Sequence, residues 1–430
     1  MTNGIWERRR IGWTVHGWVA AAAVLVTLLA TCPTAHASDP VIEWNQIALA
    51  ATVSANQGPL PQIRSMAIVH VSIHDAVNAL TGDYDTYLNF RHRRWGASAD
   101  AAAIAAAHYA LVNLFPPQAG ALNTARATSL AAHGVSESDP GIRFGEAVAA
   151  AVLKRRSMDG SAQAQFPYTA PGAGSPGVWV ATSTAPALLP GWGSVTPWVI
   201  RKASHFRPDG PPLLRSRRWA RDYNEVRELG SLTSATRTAE ETEIARFWLA
   251  SPSVIWNGIA RQAIEVRQLD LSSTARVFAL IYLAAADASI VCWDAKYTFN
   301  FWRPLTAIQQ GDADGNDRTT SDPTWAPLFP TPPHPDYLSG HSTNSSAMAT
   351  ILRRIFGDQP EEPIVATSPT NPGFERRWES FSEGIEEVID ARIFSGIHYR
   401  SADEDGARVG REVAQHVMGR QLRPLKHHER

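Results

Sequence analysis

Apolar residues recur at helical spacing through most of the chain. The spacing predicts helices over residues 41–56, 62–80, 98–114, 117–133, 139–156, 238–250, 257–268, 273–299, 341–357, 374–394 and 402–420. Alternating runs of the kind a half-buried strand needs are scarce, so the expected fold class is all-α. Two stretches break the pattern. Residues 158–216 are rich in Gly, Pro, Ser and Trp, and residues 309–337 in Asp, Thr and Pro. The first is too long for a simple connection and is expected to wrap the surface or to form part of a site entrance. Helical groups of similar size flank it. That predicts two packed helical bundles in one compact unit, an N-terminal half over 38–230 and a C-terminal half over 231–430.

The segment 273–299 is apolar nearly all round, as in Val277-Phe278-Ala279-Leu280-Ile281-Tyr282-Leu283. A helix without a polar face belongs at the centre of a fold. Lys296 falls near its C-terminal end, and an ammonium buried there requires an anionic partner.

The first 37 residues read as a cleavable export signal. Arg8-Arg9-Arg10 is the basic start, Val19 to Ala30 the apolar centre, and Ala35-His36-Ala37 the small-residue cleavage site. The expected location is therefore secreted or periplasmic. No later segment is read as having the unbroken apolar length of a transmembrane helix. After cleavage Cys292 is the one cysteine left, so stability has to come from a large packed core.

The formal net charge of −1 gives no electrostatic reason to expect a nucleic-acid partner. Arginine greatly outnumbers lysine, and the lysines are Lys154, Lys202, Lys296 and Lys426. A lysine within an aromatic, apolar segment therefore stands out.

Three stretches look built to hold one tetrahedral oxyanion. In the first, Lys296 and Arg303 lie seven residues apart, about two helical turns, and can share a side. Pro304 disfavours helix at Arg303 and ends the element. In the second, Ser339-Gly340-His341 precedes a helical run, where free backbone N–H groups face an anion. In the third, Arg392 and His398 lie six apart and would not share a helix face, but Ser395-Gly396 supplies a break.

The pattern Lys-x6-Arg-Pro, Ser-Gly-His and Arg-x5-His, carried here by Lys296, Arg303-Pro304, Ser339-Gly340-His341, Arg392 and His398, resembles the superfamily of type 2 acid phosphatases and vanadium-dependent haloperoxidases. The helical N-terminal half and Trp293 look more like the haloperoxidase branch. The resemblance covers roughly residues 275–420. It implies vanadate as cofactor, with Lys296, Arg303, Arg392, Ser339 and the Gly340 N–H around its equatorial oxygens. His398 would be the axial vanadium ligand, and His341 the acid–base group on the opposite side. The partners implied are hydrogen peroxide, a halide and an organic acceptor. The same residues would serve an acid phosphatase, with His398 as nucleophile and His341 as proton donor, or a non-catalytic phosphate- or vanadate-binding protein. Large helical faces allow a homodimer.

Trp293 matches a residue of the family's chloroperoxidases. His334 matches a position that is aromatic in those and histidine in several bromoperoxidases, so bromide or iodide is slightly favoured over chloride. Leu338 replaces the family's usual proline. The family often places an acid four residues after the last histidine, to orient it. Here that position is Ala402, so Asp403 in shifted geometry, or a backbone carbonyl, is expected to take the role.

Two other signals are read as structural. His70 and His74 have metal-ligand spacing but no third ligand segment. Asp312-Ala313-Asp314-Gly315-Asn316-Asp317 resembles a calcium loop but lacks the closing glutamate, and is read as a turn. The tail His427-His428-Glu429-Arg430 is read as a disordered end.

Overall fold

The computed structural model describes residues 39–90 and 96–425. The export signal expected at residues 1–37 and the tail 427–430 lie outside the described residues. The N-terminal half supplies α1 (Pro40–Ser54), α2 (Pro59–Thr81), α3 (Ala99–Leu114), α4 (Ala119–Ala132), α5 (Pro140–Arg156) and α6 (Arg217–Leu229). The C-terminal half supplies α7 (Ala239–Phe247), α8 (Pro252–Arg267), α9 (Leu271–Phe299), α10 (Pro304–Gln309), α11 (Gly340–Phe356), α12 (Phe381–Phe394) and α13 (Arg400–Arg420). A short antiparallel hairpin, β1 (Ile364–Thr367) and β2 (Glu375–Trp378), pairs Ile364 with Trp378 and Thr367 with Glu375.

Local chemistry explains where the helices begin. Asp39, Ser98, Asp139, Ser216, Asp270 and Ser380 each accept a hydrogen bond from a first-turn backbone N–H. Thr238 and Glu241 form a reciprocal capping box on α7. Proline occupies the first turn of α1, α2, α5, α8 and α10, where its missing N–H costs nothing.

The all-α expectation holds, with particular departures. α6 escaped the periodicity reading because its many charges dilute the buried stripe Trp219, Tyr223 and Val226. α12 starts at Phe381, not near residue 374, because Glu375–Trp378 is strand. α8 starts at Pro252, earlier than residue 257. The reading that no later segment has membrane-span length also needs correction. α9 has 29 residues and a mean hydropathy of 1.7 over its most apolar window, but 94% of that window is buried inside the protein. Its apolar surface is covered by α2, α11 and α13.

α9 is the central element. α2 packs along it and also against α3 and α5, while α11 and α13 pack on each other and on α9. His70 and His74 are buried within this core, as expected of structural residues. His70 stacks on Phe278 and Tyr282, and His74 bonds to the Asp85 carbonyl and to Asn78. Among the described residues, no group of three or more His, Cys, Asp or Glu is placed to hold a metal ion. The 312–317 segment is a turn closed by Asp314, which accepts from Asn316 N, Thr319 Oγ1 and Trp219 Nε1.

Candidate active site

The last turn of α9 delivers Lys296, which is 0% exposed. Its Nζ donates to the carbonyls of Pro335 and Asp336, both at 2.8 Å, and lies 5.6 Å from the centre of the Trp293 ring. Burial, with Arg303 nearby, lowers the ammonium to about 7. Asn300, at φ 47°, closes α9, and the chain then runs extended through Arg303 (φ −88°, ψ 156°) into Pro304. Arg303 therefore does not share a helix face with Lys296. It reaches the same site from an extended segment, the conformation Pro304 imposes on it.

Arg303 is fully buried and almost fully engaged. Nε donates to the His334 carbonyl at 2.8 Å, and Nη1 to the Ile397 carbonyl at 2.6 Å. Nη1 also lies 3.2 Å from His398 Nε2, and Nη2 2.9 Å from His334 Nδ1. Trp293 packs its ring on His334, with centres 5.1 Å apart.

Ser339 is the N-cap of α11, so the N–H groups of that helix's first turn converge beside it. His341, in the same turn, is partly exposed, and its Nε2 lies 3.2 Å from the Ala250 carbonyl. Burial of the ring and the nearby charges of Arg392 and Lys296 hold the imidazole well below its ordinary value.

Arg392 comes from the last turn of α12. Its Nη1 donates to the Trp248 carbonyl at 2.8 Å, whereas its Nε is buried without a partner. α12 stops at Phe394, and Gly396, at φ 76°, turns the chain so that His398 enters the same pocket. Gly396 lies so close to Gly230 and Pro327 that a Cβ would fall 2.3 Å from the Gly230 carbonyl oxygen. The break anticipated at Ser395-Gly396 therefore requires glycine on two counts, backbone conformation and space.

The expected partner of His398 is corrected. Asp403, one turn into α13, faces the start of α11, where its Oδ1 accepts from Ser342 Oγ at 2.7 Å. Ser339 also hydrogen-bonds to it, and burial still pushes its carboxyl up to about 7. The group against His398 Nδ1 is Asp336 Oδ1, at 2.8 Å. Asp336 is fully buried, and its carboxyl is pushed up to about 8 by burial, against the lowering effect of Arg303 and Lys296. Sequence reasoning missed it because it sits in the Pro-rich loop three residues before Ser339, just outside the motif.

A second missed contributor is Leu188. Its carbonyl accepts from Trp293 Nε1 at 3.1 Å and Tyr297 OH at 2.7 Å, while its N–H donates to the Pro333 carbonyl at 2.8 Å. Further along, Trp179 N donates to the Asn300 carbonyl and Trp302 N to the Gly177 carbonyl. The long Gly/Pro-rich stretch of the N-terminal half thus packs directly on the segment carrying Lys296 and Arg303.

The chemistry of this pocket is one-sided. Three cations, Lys296, Arg303 and Arg392, are buried, and all three bear on His398 electrostatically. Backbone carbonyls and imidazoles take most of their donors. The carboxylate nearest a guanidinium is Asp336, 3.8 Å from Arg303 Nη1. Buried charge of one sign is costly unless an anion joins it. The unpartnered Arg392 Nε, the third N–H of Lys296 and the first-turn N–H groups of α11 form a donor set that fits a tetrahedral or trigonal-bipyramidal oxyanion, vanadate included.

Comparison with known proteins agrees with this geometry. Residues 276–427 match the family described as the VCPO second helical-bundle domain. Vanadium chloroperoxidase of Curvularia inaequalis is 26% identical over 279 residues, 49% of this chain and 45% of that protein. The chain thus aligns with less than half the length of that relative. The structure is similar to that of a bacterial vanadium-dependent iodoperoxidase, with a TM-score of 0.78 and 25% identity, covering 91% of this chain and 98% of the other. A bacterial vanadium-dependent chloroperoxidase in its holo form shares the fold, with a TM-score of 0.67 and 17% identity over 84% of this chain and 92% of the other. The matched C-terminal bundle and a fold shared along nearly the whole chain agree: the chain has the all-α, vanadium haloperoxidase-type fold, with a cationic pocket in the matched bundle.

Proposed function

We propose that the chain is a vanadium-dependent haloperoxidase that uses hydrogen peroxide to oxidise a halide to a hypohalous-acid-type halogenating species. Lys296, Arg303 and Arg392 would hold the oxygens of vanadate, with Ser339 and the Gly340 N–H as neutral donors. When bound, vanadate supplies a Lewis-acid centre at which peroxide is activated for oxygen transfer to halide. The protein's part is to bind, orient and move protons. Arg303 Nη1 can only donate, so its contact with His398 Nε2 marks that nitrogen as unprotonated and able to bond vanadium. The Ala250 carbonyl can only accept, so His341 carries its proton on Nε2 and keeps Nδ1 to take one up. The lowered basicity of His341 keeps it neutral near pH 7, as a proton acceptor has to be.

The observation that carries this reading is that three buried cations bear on one buried histidine, whose Nε2 lies 3.2 Å from the Arg303 guanidinium. His334 beside Trp293, together with the similarity to an iodoperoxidase, supports iodide or bromide ahead of chloride. The expected export signal would place the enzyme outside the cytoplasm.

The test is to load the purified protein with orthovanadate and follow bromination of a dione dye with peroxide and each halide in turn. Hydrolysis of an aryl phosphate without vanadate is measured in parallel. Halogenation that depends on vanadate and is fastest with iodide or bromide is the expected result. Phosphate release without halogenation would replace this reading with that of an acid phosphatase. Anion binding with neither activity would leave a binding protein.

A further inference from the structure

Asp336 touches three residues of the sequence motif, Lys296, Arg303 and His398. Its N–H donates to the Phe301 carbonyl at 2.9 Å, and its own carbonyl accepts from Lys296 Nζ at 2.8 Å. Its Oδ1 lies 2.8 Å from His398 Nδ1 and 3.8 Å from Arg303 Nη1. Among the described residues, neither carboxylate oxygen has a hydrogen-bond partner, and neither has His398 Nδ1, so the 2.8 Å approach of the two is an ion-pair contact between groups that nothing else satisfies. The carboxyl is 0% exposed, and the imidazole of His398 and the guanidinium of Arg303 lie within 4 Å of its Oδ1.

These contacts define a proton arrangement. With Nε2 facing Arg303, the ring proton of His398 resides on Nδ1, against Asp336. We propose that Asp336 is the positioning residue of this site: it fixes the ring and tautomer of His398 so that Nε2 presents its lone pair to the bound oxyanion, and through Arg303 and Lys296 it sets the spacing of the clamp. This inference rests on the vanadate reading of the pocket. A purely electrostatic view gives the opposite sign, because Asp336 is a negative charge beside an anion site and its removal should tighten anion binding.

The experiment uses Asp336→Asn, Asp336→Ala and Asp336→Glu, with His398→Ala to assign the resonance. The first readout is 15N NMR of histidine-labelled, anion-free protein. Wild type should show His398 protonated at Nδ1, and Asp336→Ala should lose that tautomer. The second is equilibrium dialysis with orthovanadate and, separately, inorganic phosphate. Vanadate affinity should fall roughly 10–100-fold in Asp336→Asn and Asp336→Ala and recover partly in Asp336→Glu. Phosphate affinity, which needs no bond to His398, should hold or rise.

Wild-type His398 protonated at Nε2, an unchanged tautomer in Asp336→Ala, or tighter vanadate binding in Asp336→Asn would each overturn the proposal. If wild type binds vanadate no better than phosphate, the vanadate reading fails instead, and the NMR arm still decides the role of Asp336. That arm requires only folded wild-type protein for its first outcome.

Discussion

Substituting Gly396 with alanine separates the two constraints that bring His398 into the pocket. At φ 76° an alanine pays the left-handed penalty of an L-residue, roughly 1–2 kcal/mol. Its Cβ would also lie 2.3 Å from the Gly230 carbonyl oxygen and 2.9 Å from Pro327, so backbone has to shift, at roughly 1–3 kcal/mol more. The sum is roughly 2–5 kcal/mol. Gly82 is the control. It has nearly the same conformation, φ 78°, at the end of α2, but nothing lies within 4 Å of where a Cβ would stand. Gly82→Ala should therefore cost only the roughly 1–2 kcal/mol of the conformational part. Guanidinium-induced unfolding of both variants and wild type gives the two losses from midpoints and slopes. Orthovanadate dialysis gives the functional side, where Gly396→Ala should weaken binding and Gly82→Ala should not. Equal stability losses in the two variants, or native vanadate affinity in Gly396→Ala, would refute the claim that contact with Gly230 and Pro327 places His398.

His398→Ala should abolish vanadate-dependent halogenation and leave the far-UV circular dichroism unchanged; halogenation at the wild-type rate would remove His398 from the vanadium site. Lys296→Ala should weaken orthovanadate and phosphate binding by roughly 10–100-fold, the range for losing a hydrogen bond to a charged group, as read by dialysis. An unchanged affinity would make Lys296 structural. Burial lowers His70 to about 3, so the native ring stays neutral while the unfolded one protonates below its ordinary 6.5. The stability this confers is present above pH 6.5 and is lost as pH falls toward 3. His70→Gln should accordingly lose about 3 kcal/mol less than wild type between neutral pH and pH 4, measured by urea unfolding at each pH. Parallel pH dependence in the two proteins would show that His70 does not titrate this way.

Local pattern revealed those parts of the protein that local physics determines. The apolar period of α9 and α2, the capping residue Ser339 and the glycine break at Gly396 are each written within a few residues. Lys296, Arg303 and Arg392 bear electrostatically on His398, and Lys296 and Arg392 on His341, while Ser339 caps the helix that carries Gly340 and His341. What the sequence did not reveal depends on how distant segments meet. Arg303 joins Lys296 through an extended turn and not through helical periodicity. Asp336 meets His398 because a proline-rich loop folds back between α9 and α13, and no period records that path. Leu188 contributes a backbone carbonyl, which leaves no trace in side-chain identity. Asp403 illustrates the converse. Its place one residue from the family's usual acid suggested a partner for His398, but a one-residue shift on a helix turns a side chain by about 100°, here toward Ser339 and Ser342.

α9 spans about 43 Å at the rise of an α-helix, and it is anchored along its length. Asn78 bonds to the Ser272 carbonyl near its start, Asp287 accepts three backbone N–H groups from Trp198, Val199 and Ile200 at its middle, and Ser289 donates to Asn344 of α11. A rod held in this way does not fray at the end that carries Lys296. Amide hydrogens around the pocket should therefore exchange with solvent only through openings that also release α2 and α11, as one cooperative unit. Anion occupancy would then slow exchange in the distant first turns of α9 as strongly as beside Lys296, so protection of the N-terminal core becomes a measure of how full the pocket is.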